Sequence, residues 1–349
     1  MVRKLLVCCF VCSMVSAAIG AEPDPKPIDI APHANEKKIV IKTNLDSLKE
    51  KSIGVIEYAA TGPFKDAQAP ATDKVKKRLA THNRKSASAE GWAVMGELDA
   101  RLKKLPTDRY SIDTYKHGNG HKLDYVLFFP ANYDKGKKYP LILSLHGSGG
   151  SKLKDMLSLV GRNAGPAVAV LNQQEKHPCF VMVPRANPKN LWGYGPSHRE
   201  MRGDKNWRGN WRSNAEEVIG LLEDVTARYS VDTSRRYVMG QSMGGMGALE
   251  MAVNHPGIFA ATVPVVGIPN PQDVSKLDCP MWLFTGEFES VLVSKVPKVR
   301  YHVEFYKAAR AADKDVRLTV FSRRGHMCHH LAYYHPEFWQ WLFAQKRKR

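Results

Sequence analysis

Gly240-Gln241-Ser242-Met243-Gly244 places a serine between two glycines. The strand-like stretch Arg236–Met239 precedes it and a helix-forming stretch, Met246–Asn254, follows. A turn from strand to helix as tight as this leaves no room for bulk beside the serine, and it holds the hydroxyl up at the end of a sheet. A serine hydroxyl is a weak nucleophile at neutral pH, so it needs a base beside it and a carboxylate behind that base. Gly325-His326 supplies a candidate base just after the apolar run Leu318–Phe321, with His329, His330 and His335 as competitors close by. Glu287 and Glu289 follow the run Met281–Phe284 and are candidates for the acid. Such a set would attack a carbonyl carbon, pass through an acyl-enzyme and need N–H donors for the oxyanion that develops. The backbone of Met243, next after the serine, is one candidate donor. His146-Gly147-Ser148-Gly149-Gly150, which begins where the apolar run Tyr139–Leu145 ends, offers the other.

These residues need a scaffold. Tyr139–Leu145 and Phe180–Val183 are continuous apolar runs, the pattern of strands buried on both faces. Residues 213–228 carry Val218, Leu221, Leu222 and Val225 on one helical face, behind a Ser213-x-x-Glu216 capping box. Ala260–Val266, Met281–Phe284 and Leu318–Phe321 read as further strands, and 301–312 and 336–345 as helices. His117-Gly118-Asn119-Gly120 is a turn signal before the strand at Tyr125, hence a hairpin. Strands alternating with helices imply an α/β fold, a mostly parallel sheet flanked by helices.

From about Arg109 to Gln345 the sequence resembles the esterase branch of the α/β-hydrolase superfamily. That branch holds phospholipase/carboxylesterase-like, polyhydroxybutyrate-depolymerase-like and feruloyl-esterase-like enzymes, and proteins called predicted peptidases. The resemblance rests on Lys138-Tyr-Pro-Leu-Ile-Leu-Ser-Leu-His-Gly147, Val231-Asp-x-x-Arg235, Phe259-Ala-Ala261, the elbow around Ser242 and Gly325-His326. It implies Ser242 as nucleophile, His326 as base and the N–H groups of Ser148 and Met243 as oxyanion donors. Registering Gly286 with the family's His-Gly-x-x-Asp puts Glu289 at the acid position, with Glu287 as competitor. Thr285 for histidine and Glu289 for aspartate are departures from that pattern. His146 and Gln241 are expected substrate contacts. So are Trp192 and Trp211, which lie with Tyr194 and Trp207 in a polar, aromatic insertion at 186–212 and are expected to wall a cleft. The expected function is carboxylic ester hydrolysis. A serine peptidase of the same fold and a non-catalytic binding protein on a hydrolase scaffold are the alternatives.

Residues 1–21 have a basic start at Arg3 and Lys4, an apolar run from Leu5 to Val15, then small residues, the layout of a cleaved signal peptide. The run is shorter than the about 20 residues a bilayer span needs, so no stable membrane span is expected and the location is secreted or periplasmic. Three of the six cysteines lie in it, and Cys179, Cys279 and Cys328 remain, too few for a disulfide scaffold. The expected organisation is then an N-terminal extension, partly helical, over 22–106, a catalytic domain over 107–345 and a basic tail at 346–349. The net charge of +18 on 349 residues favours an anionic substrate or surface. No nucleic-acid recognition motif stands beside it. His326, Cys328, His329 and His330 are zinc-ligand types at a spacing too crowded for a usual site, so no metal and no cofactor are expected.

Overall fold

The computed structural model describes residues 36–42, 52–58, 102, 105–150, 155–163, 167, 170–171, 173–186, 192, 214–287, 289, 299–321, 324–333, 335 and 337–347. Among the described residues, ten strands form one sheet in the order β1-β2-β10-β9-β8-β7-β5-β6-β4-β3. They are β1 (Glu36–Lys42), β2 (Ser52–Tyr58), β3 (Tyr110–Lys116), β4 (Lys122–Phe128), β5 (Tyr139–Leu145), β6 (Phe180–Pro184), β7 (Val231–Gln241), β8 (Ala261–Val265), β9 (Met281–Gly286) and β10 (Val316–Phe321). The six strands from β6 to β10, with β5 between β6 and β7, run parallel. The β3–β4 hairpin and the β1–β2 pair are antiparallel additions at the two edges.

The hairpin forms where Asn-Gly calls for it. His117 N–H donates to the His121 carbonyl at 2.8 Å, and Gly120 takes a φ of +83° that a side chain would resist. At the other edge, residues of the expected N-terminal extension supply β1 and β2, and β2 pairs with β10. The helical part of that extension lies outside the described residues: between residues 59 and 104 only Leu102 is described.

β5 is buried from end to end, and its alternate side chains enter different cores. Leu141, Leu143 and Leu145 pack with Val218, Leu221, Leu222 and Val225 of α2 (Ala215–Arg228). Ile142 points the other way, towards Leu159 and Val160 of α1 (Met156–Asn163) and Phe338, Trp341 and Leu342 of α6 (Phe338–Ala344). Each such burial contributes about 1.5–3 kcal/mol, which fixes the sheet between helical layers. α2 starts behind Asn214, which makes no side-chain cap bond, and Ser213 of the expected capping box lies outside the described residues. α3 (Met243–Asn254), α4 (Val299–Ala311) and α5 (His329–Tyr333) are further helices.

The chain steps outward from β5 to β6, then crosses back to β7 on the far side of β5. Sheets of this kind bind ligands where the strand order reverses, beyond the carboxyl ends of the strands. Leu145, Gln241, Gly286 and Phe321 all end strands there.

Candidate active site

β7 gives way to α3 at Ser242 with no intervening loop. The turn forces Ser242 to φ +56° and ψ −118°, a conformation costing a non-glycine residue of the order of 1–3 kcal/mol. Two backbone bonds hold it there: Ser242 N–H donates to the Val265 carbonyl at 2.9 Å, and the Met246 N–H to the Ser242 carbonyl at 3.0 Å. Both flanking glycines are sterically required. A Cβ on Gly240 would collide with the Gly244 carbonyl, and one on Gly244 with the Leu145 carbonyl.

His326 lies between β10 and α5, and its Nε2 is 3.0 Å from Ser242 Oγ. Its Nδ1 faces both carboxylate oxygens of Glu289, at 2.9 and 3.0 Å. The two groups differ in exposure: the histidine side chain is 20% exposed, the glutamate 2%. A carboxylate accepts only, so Nδ1 carries the proton and Nε2 is left to accept from the serine hydroxyl. Glu289 is fixed by a tight turn off β9, its N–H donating to the Gly286 carbonyl at 3.0 Å. Glu287, the competitor, is buried with its N–H on the Phe321 carbonyl and does not meet the His326 ring in this way. Among the competing histidines, His329 is buried and His335 packs edge-on against Trp282 at 4.9 Å. Cys328, two residues past His326, is a buried thiol whose pKa is pushed well up, first by burial and then by the Glu289 charge, so it stays neutral.

Met243 opens α3, and its N–H, at the first helical position, has no intrahelical acceptor. Ser148 is exposed, in a turn closed by the Gly150 N–H on the Gly147 carbonyl at 3.0 Å. Gln241 is buried at the last position of β7.

Two expected substrate contacts turn inward. His146 has no exposed surface: Nδ1 lies 2.7 Å from the Gly147 carbonyl, and Nε2 accepts the Ala186 N–H at 3.0 Å. Trp192 is 3% exposed, packs on the His146 ring at 5.2 Å and donates its Nε1–H to the His146 carbonyl at 3.0 Å. The expectation that they touch substrate is corrected: their polar atoms are spent inside the protein and neither ring offers a free face. Polar surroundings in sequence hid this, because nothing in 186–212 marks which aromatic turns in. Trp211, Tyr194 and Trp207 lie outside the described residues. The Val265 carbonyl that holds Ser242 carries no sequence signal either, being a backbone group.

Burial pushes the His146 pKa down to about 4, against a smaller upward pull from the Gly147 carbonyl. An unfolded histidine titrates near 6.5, so between these values the folded chain binds fewer protons than the unfolded one. Stability is full above 6.5 and falls as pH drops towards 4. The gap corresponds to about 3 kcal/mol. In urea unfolding, wild type is expected to lose about 3 kcal/mol more than His146→Gln between pH 7 and pH 4. Equal losses would show that His146 does not titrate in this way.

Among the described residues, no group of three or more histidine, cysteine, aspartate or glutamate side chains is arranged to hold a metal ion. No described helix is long and apolar enough to cross a membrane.

A parallel sheet with a strained serine elbow, a histidine after the last parallel strand and an acid between them defines the α/β-hydrolase fold. A family model described as "Putative esterase" matches residues 119–348, well over half of the sequence, and the chain belongs to that family. "Probable feruloyl esterase C" of Aspergillus terreus is 27% identical over 144 residues, 41% of this chain and 46% of that protein. "S-formylglutathione hydrolase" of Mus musculus is 23% identical over 160 residues, 43% of this chain and 53% of that one. The chain thus spans about half the length of these curated relatives. The crystal structure of a thermostable esterase superposes with a TM-score of 0.59 at 27% identity, over 69% of this chain and 64% of that one.

Proposed function

We propose that the chain is an exported serine hydrolase that cleaves carboxylic esters. The observation that carries this is the alignment of Ser242 Oγ, the His326 ring and the Glu289 carboxylate within hydrogen-bond reach of one another. In this reading Ser242 Oγ attacks the ester carbonyl while His326 Nε2 takes its proton. The carbonyl oxygen becomes an oxyanion facing the N–H groups of Met243 and Ser148. As it collapses, His326 returns the proton to the departing alcohol and Ser242 is left acylated. Water, deprotonated by the same imidazole, then releases the acid. Glu289 holds the imidazole in the required tautomer and steadies its positive charge without taking a proton.

Family membership supports the ester as substrate. The signal-peptide layout of residues 1–21 supports export, and the net charge of +18 supports an anionic partner, which makes an acylated acidic polysaccharide our substrate class.

One experiment tests the whole reading. The chain from residue 22 onward is incubated with a fluorophosphonate probe, with p-nitrophenyl acetate and with an acetylated, uronate-bearing polysaccharide. Labelling at Ser242 with matching loss of p-nitrophenol release is expected, together with acetate release from the polymer. Folded protein that neither labels nor hydrolyses the small ester would sink the esterase. Small-ester activity without acetate release would overturn only the polymer. The mass of chain recovered outside the producing cell reads whether residues 1–21 have been removed.

A further inference from the structure

His146 and Trp192 were expected at the substrate, and the structure spends both elsewhere. The spending has a direction. The Ala186 N–H is a pure donor, so His146 Nε2 accepts from it and the ring proton must sit on Nδ1. That Nδ1–H points at the Gly147 carbonyl, 2.7 Å away. In a planar trans peptide the C=O and the next N–H point opposite ways. With the Gly147 oxygen held by the ring, the Ser148 N–H of the same peptide plane is held pointing the opposite way. The Gly150 N–H takes the second acceptor site of the same carbonyl, at 3.0 Å. The preceding carbonyl, that of His146, is held by Trp192 Nε1–H at 3.0 Å. Two consecutive peptide planes are therefore fixed by buried donors.

The same tryptophan reaches the other side of the oxyanion. A Cβ built on Gly247 would stand 2.8 Å from Trp192 Cβ, so the side chain lies directly on α3. The amino end of α3 carries the Met243 N–H.

We propose that Trp192, acting with His146, is a positioning residue that sets the Ser148 amide against the Met243 amide, so that both meet one oxyanion. This rests on the reading that Ser242 opens an ester. A donor that is present yet displaced forfeits much of its value, since these groups work only when fixed at the place where charge develops. Losing one such donor costs about 10²–10³ in turnover. Loosening one is expected to cost about tenfold to a hundredfold.

The test is Trp192→Phe, which keeps an aromatic ring and removes the Nε1–H, beside Gly247→Ala, which presses a methyl on Trp192 from a position on α3 four residues past the Met243 amide. Active sites are counted by burst titration, so that misfolded protein does not enter the rate. With p-nitrophenyl acetate, kcat per titrated site is expected to fall about tenfold or more in Trp192→Phe and less in Gly247→Ala, with KM within about twofold. A trifluoromethyl ketone, which forms an oxyanion on Ser242, is expected to bind Trp192→Phe more weakly by the factor lost in kcat/KM. A merely structural tryptophan would lower the titrated fraction and leave both per-site quantities unchanged, and that result overturns the proposal. A wild-type chain with no burst and no fluorophosphonate labelling would overturn the esterase reading itself, and this proposal with it.

Discussion

Ser242→Ala is expected to lower the turnover of p-nitrophenyl acetate by about a million-fold, leaving the fold intact. The methyl group occupies the same elbow, so the Val265 and Met246 backbone bonds that hold the turn are kept. What disappears is the atom that His326 Nε2 faces at 3.0 Å. A slow residual hydrolysis above that in water is expected, since the Met243 and Ser148 amides would still polarise a bound carbonyl. Ser242→Gly adds a second reading from the same position. At φ +56° a serine is strained and a glycine is not, so the variant is expected to be as inactive as the alanine one. It should also be more stable than wild type by about 1 kcal/mol, part of the strain being released. Turnover together with urea unfolding checks both. Alanine and glycine variants with near wild-type turnover would remove Ser242 from the chemistry. A glycine variant less stable than the serine would show that the elbow stores no strain.

The parts of the site that were legible in the sequence are those whose physics is local. The elbow was legible because the collision of Gly240 with Gly244 is a matter of five consecutive residues. β5 and β9 were legible because strands buried on both faces must be apolar throughout. β1 and β2 were not. The apolar residues of β1 are set among lysines, those of β2 are interrupted by Gly54 and Glu57, and both strands pair at the edge that β10 offers. The proposed acid was legible to within two residues. Glu287 and Glu289 have the same chemistry, and the turn that hands one of them to His326 is set by a single backbone bond to Gly286. His146 and Trp192 were misjudged for a related reason. A polar aromatic residue near a site has the same composition whether it faces the ligand or braces the wall, and only its partners tell the two apart. Here the partners are the carbonyls of His146 and Gly147 and the N–H of Ala186, which no side-chain pattern records.

Glu289→Gln is expected to cost about 10³–10⁴ in kcat, with little change in KM. The substitution is isosteric, so the 2.9 and 3.0 Å contacts to His326 Nδ1 are not lost for want of reach. The damage is electronic and tautomeric. An amide offers N–H donors where the carboxylate offered only acceptors, and an imidazole facing a donor carries its proton on Nε2, where it no longer accepts from Ser242. Even in the correct tautomer, the imidazolium formed during attack would lack its counter-charge in a pocket where the glutamate is only 2% exposed. Glu289→Asp keeps the charge and retracts it by one methylene, so a smaller loss, about tenfold to a hundredfold, is expected. Glu287→Gln, measured per active site by burst titration, is expected to stay within about tenfold of wild type, because Glu287 leaves the His326 ring to its neighbour. The comparison decides the assignment. If Glu287→Gln fell as far as Glu289→Gln, the acid would be shared or misassigned. If Glu289→Gln kept full turnover, His326 would be oriented by something other than a carboxylate, and the long reach of glutamate where the resembling family has aspartate would need a different reason.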